Sequence, residues 1–244
     1  MKKILSKCRK ACEDFNLIGD GDKIAVGLSG GKDSLALLTA MANLRKFYPK
    51  KFELIAICID LFNGNSNLEK IKEYCKNIDV ELHIVNSQIY EIVFESRKEK
   101  SPCSLCAKLR RGILNEEAKK LGCNKVALGH HSDDLIETFF LSLFYEGRLS
   151  TFAPKTYLSN TGITSIRPLL YVKEKEIISA TKDMPIFHNC CPVNHKTKRE
   201  YMKDFLKKIN REIPNSKDTI FRAIISPERY NLFDKYIKKN SNNK

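Results

Sequence analysis

The sequence predicts an α/β fold: a mostly parallel sheet with helices on both faces, and a small helical C-terminal extension. Short apolar runs of strand length alternate with longer segments whose apolar residues recur at helical spacing, which is the pattern of βαβ units. The two richest polar clusters, residues 29–34 and 129–134, each follow directly on an apolar run, where sheets of this kind gather their ligands. At 244 residues, 42% of them hydrophobic, the chain can bury one sizeable core or carry one domain with an appendage.

Residues 23–28 (KIAVGL) form the first expected strand, and 34–46 the helix after it. Residues 53–59 (ELIAICI) read as a second, buried strand, followed by an Asn-Gly-Asn-Ser turn and a helix near 67–77. Residues 81–85 (ELHIV) give a third strand. A helix is expected from after Cys106 to about Leu121, a fourth strand over 125–128, and a further helix over 133–145. Beyond Gly147 the pattern weakens: 150–162 reads as loop, 167–172 is briefly apolar, and helices are expected near 173–182 and 197–210. The expected division is 1–212 for the main domain and 213–244 for a basic extension, with a disordered tail over 240–244.

Forty-three Lys and Arg stand against 29 Asp and Glu, a net charge of +14. Residues 196–244 hold 14 basic and 6 acidic side chains, so +8 of that excess lies in the last fifth. A surplus of this size suits contact with phosphate backbones, although a lysine-rich bias for solubility gives the same count. No apolar run reaches the roughly 18 residues needed to span a bilayer, and the basic N-terminus lacks the apolar stretch of a secretory signal, so a cytoplasmic protein is expected. Nine cysteines in a reducing compartment argue against a disulfide framework. Cys58 and Cys123, in or beside strands, read as small buried hydrophobes.

Ser29-Gly30-Gly31-Lys32-Asp33-Ser34 joins the first strand to its helix. Two glycines let backbone N–H groups approach an anion, the helix start favours negative charge, two serines add hydroxyls and Lys32 adds a cation. The Walker spacing is absent. In the second cluster, Gly129-His130-His131-Ser132-Asp133-Asp134 with Glu137-Thr138, the paired carboxylates can hold Mg²⁺ or simply cap a helix. Cys103-x-x-Cys106, followed by Arg110-Arg111, is open to zinc, redox or cluster chemistry; zinc needs two more ligands, for which His188, Cys190, Cys191 and His195 are available.

The SGGKDS loop resembles the PP-loop of the ATP pyrophosphatases, which adenylate carbonyl oxygens and release pyrophosphate. Taken in order, SGGKDS, PCSLCAKLRRGIL, ALGHHSDDLIETFFLSLF, IRPLLYVKEKEI and CCPVNHKTKR resemble the TtcA-like tRNA 2-thiocytidine synthetases over about residues 20–210. That resemblance implies ATP and Mg²⁺ at a site of Ser29, Gly30, Gly31, Lys32, Asp33, Ser34, Asp60, Gly129 and His130, with Asp133, Asp134 and Arg110 in catalytic roles. It also implies a 4Fe-4S cluster on Cys103, Cys106 and a later cysteine, for which Cys191 is preferred over Cys190 because it precedes Pro192. The implied reaction is sulfur replacement of a base carbonyl oxygen, at C2 of a cytidine in the tRNA anticodon loop. tRNA, a sulfur donor (a cysteine desulfurase or sulfide) and a second copy of the chain are the expected partners. Neighbouring readings are an enzyme thiolating another tRNA base, or a non-catalytic nucleotide-binding Fe–S module; a lysidine-type ligase would not need Cys103 and Cys106.

Overall fold

The computed structural model describes residues 1–61, 64, 68–96, 102–186 and 197–232. Cys190, Cys191, His188, His195, the tail over 240–244 and most of the expected turn after the second strand lie outside the described residues.

Six strands form one sheet: β1 (Asp22–Gly27), β2 (Phe52–Asp60), β3 (Glu81–Asn86), β4 (Lys125–Ala127), β5 (Lys155–Leu158) and β6 (Ile163–Ile166), in the order β3-β2-β1-β4-β6-β5. All neighbours run parallel except β5, which pairs antiparallel with β6 at one edge. The chain works outward from β1 to β3, then returns to β4 on the other side of β1. The loops after β1 and β4 therefore leave the same rim in opposite directions, which opens a crevice there.

Alternation along β1 feeds both faces. Ile24 and Val26 join one core with Leu35, Leu38 and Met41 of α2 (Lys32–Arg45) and with Ile4 of α1 (Lys2–Asp14). Ala25 joins the other core with Ile55, Ile57, Val126, and Leu114 and Ala118 of α4 (Pro102–Lys120). Cys58 and Cys123 are buried, as expected of small hydrophobes. The remaining helices of this part are α3 (Glu69–Asn77), the start of α5 (Ser132–Glu146) and α6 (Glu174–Ala180), with a π-helical turn at Glu91–Ser96.

At the opposite rim a buried pair fastens β1 to β4. Lys125 Nζ lies 2.6 Å from Asp22 Oδ2, Asn124 Nδ2 donates to Asp22 Oδ1 at 2.8 Å, and Gly19 N donates to Oδ2 at 2.5 Å. Burial by itself would raise the Asp22 carboxyl, but these donors outweigh it and hold the group below its ordinary value.

Three elements depart from expectation. α1 is a regular amphipathic helix where only the absence of a signal sequence was read. β5 and β6 occupy residues expected as loop or left unassigned; each is four residues long, and β5 alternates exposed and half-buried positions, as an edge strand does. α4 begins at Pro102, so Cys103 and Cys106 lie inside its first turns and not ahead of it.

By packing, the chain forms two compact units, Met1–Leu135 with Phe152–Lys196, and Ile136–Thr151 with the chain from Thr197. This line differs from a division at residue 212. In the second unit, the later part of α5 packs with α7 (Lys198–Glu212) and α8 (Ser216–Ile225) around Ile136, Met202 and Leu206, backed by Phe140, Phe205 and Phe221. Helix α7 starts on Thr197, whose hydroxyl accepts from Glu200 N at 3.2 Å. Within the same unit Arg199 lies 3.3 Å from Glu137 Oε2 and donates to Thr138 Oγ1 at 3.2 Å, so the Glu-Thr after the aspartate pair is engaged by the arginine of the later Thr-Lys-Arg.

Candidate active site

The first wall is the loop after β1. Gly30 has φ +78°, a conformation L side chains rarely adopt, and Gly31 caps α2 in an extended conformation. The serines close the loop on itself: Ser34 Oγ donates to Gly31 O at 2.9 Å and lies 3.2 Å from both Ser29 N and Ser29 Oγ. Lys32 Nζ contacts both Asp33 carboxylate oxygens at 2.9 Å and Glu174 Oε1 at 3.2 Å. Burial would push this ammonium down, but the two carboxylates outweigh it and hold it above its ordinary value.

The second wall is the loop after β4. A Cβ on Gly129 would meet the Asp33 carbonyl carbon and oxygen at 3.1 Å and Ser34 N at 3.2 Å, so any larger residue needs the two loops to give by a few tenths of an ångström. His131, 3% exposed, is the hub behind them: its Nε2 lies 3.6 Å from Asp33 Oδ1 and 3.5 Å from Asp134 Oδ2. Its Nδ1 accepts from Asp134 N at 3.4 Å, which leaves Nε2 to carry the proton toward the carboxylates. Ser132 Oγ donates to Val172 O at 2.8 Å, anchoring this turn to the segment ahead of α6.

The adjacent aspartates diverge. Asp134 faces the cavity together with Asp33. Asp133 Oδ2 accepts from Glu174 N at 2.8 Å and so holds the start of α6. Asp60 also stands apart from the cavity lining: its Oδ2 accepts from Gly64 N at 2.9 Å, and its carbonyl accepts from Ser87 N and Ser87 Oγ.

The third wall is α4. Ala107, Arg110, Arg111 and Leu114 face Ser29, Asp33, Ser34, Gly129, His130 and Asp134 across a cavity of about 390 Å³, with Ile57 and Ile59 of β2 at its base. Arg110 also acts on the Cys58 thiol: burial pushes that thiol up to about 11, and the guanidinium opposes the rise. One turn up the same helix lie Cys106, half-buried among Leu105 and Leu109, and Cys103, exposed. These two are three residues apart on one helical face, and no disulfide joins any of the seven described cysteines to another. Among the described residues no three His, Cys, Asp or Glu side chains converge to hold a metal, so this pair fits a cluster only with a third thiol from outside the described residues, where Cys191 lies.

His131 and Arg111, named in the sequence only as members of their motifs, and Glu174 enter the site with roles the sequence did not assign them. Their signal was adjacency to recognised motifs, but each role depends on chain segments that only the fold brings together.

A family model described as a PP-loop domain matches residues 2–212. The tRNA-cytidine(32) 2-sulfurtransferase of Geobacter metallireducens is 40% identical over 243 residues, covering 98% of this chain and 95% of that protein. The chain belongs to this family. The tRNA-cytidine(32) 2-sulfurtransferase of Pseudomonas aeruginosa is likewise 40% identical, over 96% of this chain and 88% of its own length. In fold, the chain resembles the U34-tRNA thiolase NcsA of Methanococcus maripaludis (TM-score 0.73, 24% identity, 91% of this chain and 76% of that one). It also resembles an NH3-dependent NAD synthetase of Campylobacter jejuni (TM-score 0.51, 17% identity, 92% and 93%). As a member of the tRNA-cytidine(32) 2-sulfurtransferases the chain has the expected parallel PP-loop architecture, and the cavity lies at the crevice where the sheet order reverses.

Proposed function

We propose that this chain is an ATP-dependent tRNA sulfurtransferase that replaces O2 of cytidine 32 with sulfur. One observation carries the reading from geometry: a single helix, α4, bears both the cysteine pair and a wall of the cavity lined by the SGGKDS loop. At 1.5 Å per residue, Cys106 and Arg110 are about 6 Å apart along the axis, so activation and sulfur delivery are neighbours.

The carbonyl oxygen of the base is a poor leaving group. Its attack on the α-phosphate of ATP forms an O–P bond and releases pyrophosphate. Sulfur then adds to C2, the C2–O bond breaks and AMP departs with the oxygen. Summed, the base carbonyl, ATP and hydrosulfide give the thiocarbonyl, AMP and pyrophosphate, with protons returned to solvent.

The residues take the following parts. Backbone N–H groups of 29–34 and the start of α2 receive the phosphates, with Ser29 and Ser34 as hydroxyl donors. Lys32 leaves Asp33 and Glu174 to meet the polyphosphate. Asp134 with Asp33 suits Mg²⁺, and Asp133 positions α6 beside them. Arg110 stabilises charge on the departing phosphate. Cys103, Cys106 and Cys191 would hold the 4Fe-4S cluster, which when bound supplies the sulfur nucleophile. The basic extension 213–244 follows the tRNA backbone. A cysteine desulfurase or free sulfide is the sulfur source, the working unit is a homodimer, and cysteines not joined in disulfides suit the reducing cytoplasm.

Mass spectrometry of tRNA nucleosides from a strain lacking the gene tests this. Loss of 2-thiocytidine, restored by the wild-type gene, is expected. Loss of another thiolated nucleoside moves the substrate to a different base, and an unchanged profile removes the tRNA-thiolation reading.

A further inference from the structure

One cation beside the cavity is short of partners. Arg167 follows β6 directly, on the same rim as the two site loops. Its Nη1 donates to Ala153 O at 2.5 Å and reaches Thr156 Oγ1 at 3.4 Å, and its Cζ sits 5.0 Å from the centre of the Phe152 ring. Its Nε is buried and makes no hydrogen bond. Among the described residues no carboxylate pairs with it, and the nearby charge that acts on it is a second cation, Arg111. Burial first, and Arg111 second, push this guanidinium below its ordinary value.

A half-buried cation in the field of another cation is costly until an anion arrives. Phe152 joins it to the site: its ring centre lies 5.0 Å from Arg167 Cζ and 5.0 Å from the centre of the His130 ring. This row leads from β6 to the cavity, which His130 and Arg111 both line. Fixed planar guanidinium forks match phosphate oxygens.

We propose that Arg167 and Arg111 form a phosphate site for the RNA strand, taking a phosphodiester next to the nucleotide that is thiolated. β6 stands two strands from β1, about 10 Å across the sheet, so Arg167 is set apart from the loop that receives the nucleotide's phosphates, while Arg111 lines the same cavity as that loop and links the two places. The inference rests on the tRNA reading above and adds to it the residues that hold the strand in register.

The test uses the full chain and unmodified tRNA, with affinity followed through a salt series and ATP affinity measured in parallel. Arg167→Gln is expected to weaken tRNA binding about tenfold and to lower the log–log salt slope by roughly 0.7–0.9, with ATP affinity unchanged. Arg167→Lys should restore the slope but not the full affinity, because lysine is a point charge without the stacked fork. Arg111→Gln, at an exposed position, should weaken tRNA binding in the same direction without endangering the fold. Weakened ATP binding with tRNA binding intact would assign the site to the nucleotide instead. No change in either would reduce Arg167 to packing. If wild-type protein itself neither binds nor thiolates tRNA, the functional reading fails; if it does both and Arg167→Gln behaves identically, only this inference fails.

Discussion

A methyl group added at Gly129 would press on the backbone of Asp33 and Ser34, atoms that cannot rotate away. Gly129→Ala must therefore push the two loops apart by a few tenths of an ångström, at a cost of about 1–3 kcal/mol. ATP affinity measured by calorimetry should fall by about five- to a hundredfold, with far-UV circular dichroism unchanged; wild-type affinity would show that the loops tolerate separation. Gly129 was recognisable because its neighbours form a contiguous motif, and the same holds for Ser29 to Ser34. Side chains whose work depends on distant segments were not. His131 matters because it meets Asp33, about a hundred residues earlier. Asp133 and Asp134 look equivalent in a row of letters, yet successive positions on a helix point about 100° apart, and one holds α6 while the other faces the cavity.

Elements followed the sequence wherever periodicity was long. α2 and β2 were legible because their apolar residues are dense, broken in α2 only by Thr39 and Asn43 between Leu35 and Leu44, and all of β2 but Glu53 is buried. β5 and β6 have four residues each, too few for a period to register, whereas the equally short β4 was legible as an apolar run directly ahead of the Gly129 cluster. α1 was readable, since Ile4, Cys8, Ala11 and Cys12 mark one helical face, but its many lysines mask the stripe. The fastening of β1 to β4 carries a pH signature. Asp22 is held below its ordinary pKa, so the charged carboxylate stabilises the fold above about pH 4, the unfolded value, and that contribution is lost as pH falls through the lower folded value. Asp22→Asn should cost about 3 kcal/mol at neutral pH by leaving Lys125 unpaired. In urea titrations the gap between wild type and variant should narrow below about pH 4; a gap independent of pH would mean the ion pair contributes nothing through its charge.

For the molecule as a whole, the net charge of +14 is the property most visible in composition and least visible in any one contact. If it serves RNA, tRNA affinity of the wild type should fall linearly on a log–log plot against salt, with a slope near −0.7 to −0.9 per phosphate contact. A flat response would return the charge to solubility. The grouping of α7 and α8 with the later part of α5 was not legible, because it depends on Phe140, Phe205 and Phe221 meeting across some eighty residues.

Cys103 is exposed at the start of α4, while the cores on both sides of the sheet are closed. In protein that lacks its cluster, an oxidant in an ordinary buffer therefore reaches this thiol without the fold opening and carries it along the sulfenic-to-sulfonic series. A preparation handled in air would keep its melting curve and its grip on ATP while losing sulfur transfer, so a silent assay on well-folded protein would describe the handling and not the enzyme.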